Sequence, residues 1–124
     1  MATLLDTKTV NVATVLAAEV KGVIENITYW NAASGQFVAT PPTNIAYGAQ
    51  VGAQAYMRNT GAAGQRMYMI FTLKRPDGTV KSTFDGSSSP TTLAPNASDY
   101  KGWVDVADQA GTWTMVIQLY GEAA

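Results

Sequence analysis

The chain contains neither cysteine nor histidine among its 124 residues. Without cysteine, no disulfide, zinc–thiolate site, iron–sulfur cluster or thiol nucleophile can form. Without histidine, a Ser-His-Asp triad, facial-triad iron and most catalytic zinc sites are excluded, because imidazole is the usual general base and the commonest transition-metal ligand near neutral pH. The sequence therefore predicts a protein that is not an enzyme and that uses no cofactor and no metal ion.

Charge is also scarce. Eight basic and nine acidic residues give a net charge of −1, and only 14% of the residues are charged. A nearly neutral chain has no electrostatic attraction for phosphate, so we expect no nucleic-acid partner. No apolar run approaches the roughly 20 residues of a membrane helix, so we expect no membrane span. Asp6 and Lys8 lie where an export signal would have its apolar core, so we expect synthesis without a signal peptide.

Short segments with a strand pattern fill the chain from about residue 22 onward. Residues 65–78 give the clearest pattern, because Met67, Met69, Phe71 and Leu73 alternate with mostly polar positions before the turn sequence "RPDG". The predicted strand segments, some of which include the turn that follows, are 21–30, 37–40, 49–61, 65–78, 79–84, 100–107 and 112–120. With no helix-length segment between them, they predict one all-β domain over 22–124, an antiparallel sandwich of about seven strands.

The alternation also predicts which side chains face the core. In the last segment, these are Trp113, Met115, Ile117 and Leu119. In the segment 100–107 the pattern places Tyr100, Val104 and Val106 together on the inner face. This leaves Trp103 outward, and Tyr56 and Tyr68 lie outward on the polar sides of their own strands. For the first strand two phases remain open, one with Val23, Ile27 and Tyr29 inward and one with Ile24 and Trp30 inward.

Four stretches carry a resemblance to a known class of domain: "VGAQAYMRNTG", "KRPDGTV", "TLAPNASDYKGWVDV" and "AGTWTMVIQLY". Over about residues 45–121 the chain resembles immunoglobulin-like and fibronectin-III-like sandwiches, most closely CARDB-type modules. The resemblance implies a spacer, adhesion or assembly unit of the kind found on cell surfaces, filaments and phage virions. The immunoglobulin disulfide is absent from the chain.

Residues 1–21 differ from the rest, because the stretch "TVNVATVLAAEV", residues 9–20, is apolar and rich in alanine. Val10 and Val12 could begin a strand, whereas residues 15–19 could form one or two helical turns. We interpret the segment as an extra edge segment of the sandwich or as an arm that docks on a neighbouring subunit, with simple disorder as the third interpretation. The predicted interface comprises Val10, Val12, Val15, Leu16, Val20, Tyr56, Tyr68 and Trp103.

These observations predict a non-catalytic structural module whose partners are other protein subunits, as a homo-oligomer or in a capsid, tail or filament lattice. The favoured interpretation is a phage or virus particle component, such as a capsid decoration or tail protein, located in the virion or another extracellular assembly. The alternatives are a cell-surface adhesion or carbohydrate-binding module, for which exposed aromatic side chains could bind a glycan, and an extracellular filament subunit joined by strand donation. The aspartates near turns, including Asp105 and Asp108, are expected to cap the local backbone rather than to bind calcium or cleave glycosides.

Overall fold

The structure, a computed structural model, describes residues 1–15 and 19–124. These residues form the expected all-β fold, with antiparallel strands in two four-stranded sheets and one short 3₁₀ helix at Gly86–Ser88. The strands are β1 Gly22–Asn31, β2 Gln36–Val38, β3 Gln50–Asn59, β4 Gln65–Lys74, β5 Val80–Asp85, β6 Thr91–Leu93, β7 Ser98–Val106 and β8 Thr114–Ala123.

The two sheets differ in how their edges are formed. Sheet A has the order β2-β1-β3-β7. In sheet B, β4 is central and pairs with β8 along its whole length, while its other side pairs with β5 and β6. Strand β8 therefore forms one edge of sheet B by itself, and the side of β8 away from β4 has no strand neighbour among the described residues.

The core lies between β3 and β4. Ala55, Met57, Met67, Met69 and Phe71 are at most 1% exposed and form its centre, which confirms the inner face predicted for β4. Methionine side chains are unbranched and adapt to irregular gaps, so they suit the space between two twisted sheets. Burial of each such side chain stabilises the fold by about 1.5–3 kcal/mol.

The first strand changes phase at a β-bulge. Ile24 pairs with a buried methionine of β3, and Tyr29 pairs with a buried alanine of the same strand, with a register shift between the two pairs. Because opposite residues share a face, Ile24 and Tyr29 both point inward, although residues an odd number of positions apart in a regular strand point to opposite faces. Asn26 lies in the shifted segment with a φ of 53°. Each of the two phases that the sequence left open is therefore correct for one half of the strand.

The side chains of β7 face the opposite sides of the sheet from those predicted. Tyr100 and Val106 are 53% and 41% exposed, and Val104 lies with them on the outer face. Trp103, predicted to face outward, pairs with the buried Ala53 and packs against the core cluster. The predictions for these four residues of β7 were wrong.

The reason for the error is that the inner face of β7 carries all three of its charged residues. Asp99, Lys101 and Asp105 share that face with Trp103, so the outer face looks more apolar in the sequence. The charges are tolerated because β7 lies at the margin of the sandwich, where polar partners are available. Asp99 Oδ2, for example, accepts a hydrogen bond of 2.8 Å from Thr91 Oγ1 of the facing sheet.

The predicted turn after β4 forms as expected from its sequence. The N–H of Gly78 donates to the carbonyl oxygen of Arg75 at 2.9 Å, and Gly78 has a φ of 87°, a conformation that glycine adopts without steric cost. Asp77 Oδ1 accepts from the N–H and the hydroxyl of Thr79 at 2.9 and 2.6 Å. This closes the connection to β5 with side-chain hydrogen bonds, as the proposed capping role for aspartate predicts.

Candidate functional site

The N-terminal arm, defined here as residues 1–15, is the most exposed apolar part of the described chain. All of its residues are exposed, and they lie in neither a helix nor a strand. Val10, Val12 and Val15 are 72%, 92% and 89% exposed. Leu16, also a predicted interface residue, lies outside the described residues. The arm thus presents several apolar, mostly β-branched side chains that gain from burial only on a further surface.

The chain enters the sandwich at Lys21 through a buried polar clamp. The side-chain amide of Gln65 accepts from the Lys21 N–H at 3.1 Å and donates to the Lys21 carbonyl oxygen at 2.8 Å. Gln65 is 1% exposed and also donates to the side-chain oxygen of Asn59, which is 0% exposed. Asn59 in turn donates to the carbonyl oxygens of Ala63 and Leu93, both at 2.9 Å. This clamp fixes the point from which the arm leaves the domain.

The arm leaves the domain beside one end of β8. A side chain at Gly121 would meet Val20 Cγ1 at 3.2 Å, so Val20 lies against the backbone of β8, and Val20 remains 45% exposed. A small cavity of about 170 Å³ opens here, and Val20, Lys21, Gly22, Gln65, Met67, Leu119 and Gly121 line it. One corner of the sandwich therefore contains the start of β1, the end of β8 and the two residues before β1, Val20 and Lys21.

Strand β8 has a regular, nearly uncharged edge. Its ten residues pair continuously with β4, from Thr114 opposite Lys74 to Ala123 opposite Gln65, without a register shift. Glu122 is its single charged residue, and its carboxylate lies 3.4 Å from the guanidinium of Arg66 on the neighbouring strand. A long, regular edge without lysine, proline or a bulge is a surface on which a further strand can pair.

The opposite side of the sandwich is closed by polar contacts between the sheets. Trp103 Nε1 donates to Ser82 Oγ at 2.9 Å, and the Trp103 ring stacks on Phe84 with centroids 5.8 Å apart. Near the same side, Asp108 accepts from Arg75 Nε at 3.0 Å. Trp103 is therefore a packing residue that joins β7 to β5, and it does not belong to the exposed surface on which we predicted it.

The two predicted tyrosines lie on different outer faces. Tyr68 stacks on Tyr120 on the outer face of sheet B, with centroids 5.2 Å apart and ring planes 14° apart. Tyr56 packs against Tyr100 on the outer face of sheet A, with centroids 5.4 Å apart. The predicted interface residues do not form one patch, because the two tyrosines lie on the outer faces of different sheets.

The aspartates near the turns are held in their charged form. Hydrogen bonds from Thr79 and then from Gln109 lower the pKa of Asp77 to about 2. The Arg75 guanidinium lowers the pKa of Asp108, and hydrogen bonding from Ser82 lowers that of Asp105. A general acid needs a raised pKa to carry its proton at neutral pH, so the environments of Asp105 and Asp108 favour charged, hydrogen-bonded carboxylates instead.

Within residues 1–15 and 19–124, no helix has the length and apolar character needed to cross a membrane. In the same residues, no three acidic side chains come together as a group that could hold a metal ion.

The clamp residues Asn59 and Gln65 were missed in the sequence because they flank a turn. The signal that could have identified them is the position of each residue in the inward and outward alternation of its strand. Asn59 continues the inward series of β3, and Gln65 begins the inward series of β4, so each is a polar residue at a core position. The open edge of β8 was also missed, since strand neighbours depend on topology rather than on the sequence of one strand.

Comparison of the chain with protein-family models, with curated proteins and with solved structures found no match.

Proposed function

We propose that this chain is a non-catalytic structural module that assembles with other copies of itself through its N-terminal arm. Its fold class supports this role, because antiparallel sandwiches serve as rigid units in many assemblies. The module belongs, in this proposal, with the immunoglobulin-like and fibronectin-III-like sandwiches of the CARDB type. Its setting is a phage or virus particle, as a capsid decoration or tail protein.

The observation that carries the proposal is the exposure of the arm. Val10, Val12 and Val15 lie on a segment that the sandwich leaves uncovered, and Leu4 and Leu5 are 82% and 91% exposed on the same segment. Full burial of an aliphatic side chain stabilises a protein by about 1.5–3 kcal/mol. Docking of such an arm on another subunit therefore provides a driving force that the single copy does not use.

The test is sedimentation velocity on the full chain over a range of concentrations. We expect oligomers that dissociate on dilution. A variant in which Val10, Val12 and Val15 are all replaced by serine should sediment as a monomer, with an unchanged circular dichroism spectrum. The matched control replaces Thr7, Thr9 and Thr14 by serine and should assemble normally. A full chain that remains monomeric at every concentration would refute the proposal.

A second candidate function is binding of a glycan on a cell surface. The Tyr68–Tyr120 stack supports it, because Tyr120 is 42% exposed and aromatic faces can stack on sugar rings. A glycan array would test this candidate with the wild-type chain and with Tyr120→Ala. Binding that Tyr120→Ala abolishes and that serine replacements in the arm leave intact would favour the glycan-binding function over self-assembly.

A further inference from the structure

We infer that the open edge of β8 is the acceptor for the arm, and that residues 8–14 of a second copy pair with it as an additional strand of sheet B. The inference rests on the proposed self-assembly and deepens it by naming the surface that receives the arm. The partner is therefore another molecule of this chain, and the donated side chains that face the core are Val10 and Val12.

Each of the other sheet edges is protected against strand addition. Strand β2 is only three residues long, and the neighbouring edge of β1 is interrupted by its bulge. Strand β7 carries Asp99, Lys101 and Asp105 on its inward face. On the far side of sheet B, β5 carries Lys81 and has a register shift against β4, and β6 is three residues long. Short strands, bulges and inward charges are the features that block pairing between molecules.

Strand β8 has none of these protections, and its inner side chains are incompletely covered. Met115, Ile117 and Leu119 pack on the core but are only half-buried, because no strand lies beyond them in sheet B. A strand added at this edge would place its own alternate side chains beside these three. The edge therefore offers both unpaired backbone groups and apolar surface, which are the two requirements of strand addition.

The sequence of the arm matches the requirements of that edge. In "KTVNVAT", residues 8–14, Val10 and Val12 alternate with Thr9 and Asn11. Successive side chains of a strand point to opposite faces, so the two valines would face the core while Thr9 and Asn11 would face solvent. Lys8 and Thr14 fall on the same side as the valines, but they lie at the two ends of the segment, where the Lys8 ammonium can extend past the sheet into water. Threonine and valine also favour extended backbone, which lowers the cost of ordering the arm as a strand.

The lengths of the two segments are compatible. Seven extended residues span about 23 Å, and a ten-residue strand such as β8 spans about 33 Å, so residues 8–14 fit along it. Seven residues of chain separate the paired segment from the start of β1. A chain of that length spans at most roughly 25 Å, which suffices for a subunit lying directly against its neighbour.

Donor and acceptor are different surfaces of the molecule, so the contact is heterologous. Such contacts produce a ring or an open filament, unless two copies exchange arms reciprocally to form a closed dimer. All three arrangements use the same pairing between the arm and β8, and the size of the oligomer distinguishes them.

Disulfide trapping tests the pairing directly, since the chain has no cysteine of its own. One variant carries Asn11→Cys, on the solvent-facing side of the donated strand. Its partners are single-cysteine variants on the outer face of β8, Val116→Cys, Gln118→Cys and Tyr120→Cys. Opposite residues on paired strands have Cβ atoms about 4.5–5.5 Å apart, within reach of a disulfide after mild oxidation. The control acceptor is Tyr100→Cys, exposed on the outer face of the β7 edge.

Mixtures of the Asn11→Cys variant with each acceptor are expected to give a heterodimeric disulfide with at least one position of β8 and none with Tyr100→Cys. Cross-linking to Tyr100→Cys, or to no position while the full chain still oligomerises, would overturn the choice of β8 and leave the proposed self-assembly standing. A monomeric full chain would refute both. An intramolecular disulfide in a monomeric Asn11→Cys/Gln118→Cys double variant would show that the arm folds back on its own sandwich, and would also overturn the inference.

Charge substitutions in the arm test the assigned faces. The double variant Val10→Lys/Val12→Lys places two charges against the core side of sheet B and should weaken self-association roughly tenfold or more, equivalent to at least about 1.4 kcal/mol. The matched control Thr9→Lys/Asn11→Lys adds the same charge on the solvent side and should associate within about twofold of the wild type. Equal weakening by the two variants would contradict the assigned faces. Both variants change only residues that the sandwich leaves exposed, so each is expected to fold.

Discussion

Replacement of Asn59 by alanine should destabilise the sandwich strongly, although the residue is polar and borders a turn. Its side chain donates to the carbonyl oxygens of Ala63 and Leu93 at 2.9 Å each and accepts from the N–H of Gly61 at 2.8 Å. It also accepts from the buried Gln65. Loss of a partner costs about 1–3 kcal/mol for each buried polar group left unsatisfied, and the bond to Leu93 is fully buried. We therefore expect Asn59→Ala to lower the free energy of unfolding by about 3–4 kcal/mol in total.

Urea denaturation followed by tryptophan fluorescence measures this change. With a slope of about 1–3 kcal/mol per molar urea, the midpoint should fall by roughly 1–4 M. The control Gln118→Ala removes an exposed amide from β8 and should change the free energy of unfolding by less than about 0.5 kcal/mol. If Asn59→Ala and Gln118→Ala unfold at the same urea concentration, the clamp does not stabilise the fold and our account of how the arm is anchored is wrong.

Three further predictions concern the opposite side of the sandwich and the sheet pairing. Trp103→Phe removes the hydrogen bond to Ser82 and should cost about 1 kcal/mol in urea denaturation. Ser82→Ala should cost more, because Ser82 also hydrogen-bonds to Asp105. The Arg75 guanidinium lowers the pKa of Asp108. The contribution of Asp108 to the free energy of unfolding is therefore present above the ordinary aspartate pKa and is lost as pH falls through the lowered pKa. The melting temperature of Asp108→Asn should therefore fall less than that of the wild type on acidification from pH 5 to pH 2, and equal falls would contradict this. Gly52→Ala places a Cβ inside the van der Waals radius of the Trp103 carbonyl oxygen and should lose about 3 kcal/mol or more, while Gly64→Ala meets nothing closer than 3.8 Å and should be nearly neutral in the same assay.

The fold class could be predicted from the sequence because alternation and turn residues are local signals. The inner face of β4 was correct, since Met67, Met69, Phe71 and Leu73 leave only one side of the strand able to enter the core. The phase of β1 could not be predicted, because a bulge at Asn26 reverses the alternation within the strand. Bulges depend on the pairing with a neighbouring strand, and that pairing is not encoded in the periodicity of one segment.

The candidate site was only partly predictable for a related reason. The valines of the arm were identified from composition, since an apolar segment outside the strand pattern needs a surface to cover it. Trp103 was assigned to the wrong side because the charged residues of β7 share its face, so the amphipathic pattern of the strand predicts the wrong orientation. The clamp formed by Asn59 and Gln65 could not be predicted, because it depends on Lys21 meeting the turn between β3 and β4 in space.

The distribution of charge along the sheet edges links the fold to the proposed assembly. A sandwich that works as a monomer gains solubility from charges on every open edge, and β7 has this pattern with Asp99, Lys101 and Asp105. On β8, Glu122 is the single charge, and it lies near one end, beside Arg66. Addition of charge to the inner side of this edge should therefore damage assembly. We expect Ile117→Lys, at a half-buried position, to keep its circular dichroism spectrum at a cost of about 1–3 kcal/mol in stability and to sediment as a monomer. The control Gln118→Lys places the same charge on the exposed outer face of the same strand and should leave both folding and assembly nearly unchanged. Sedimentation velocity at matched concentrations separates the two variants, and equal assembly by both would mean that the arm docks away from β8.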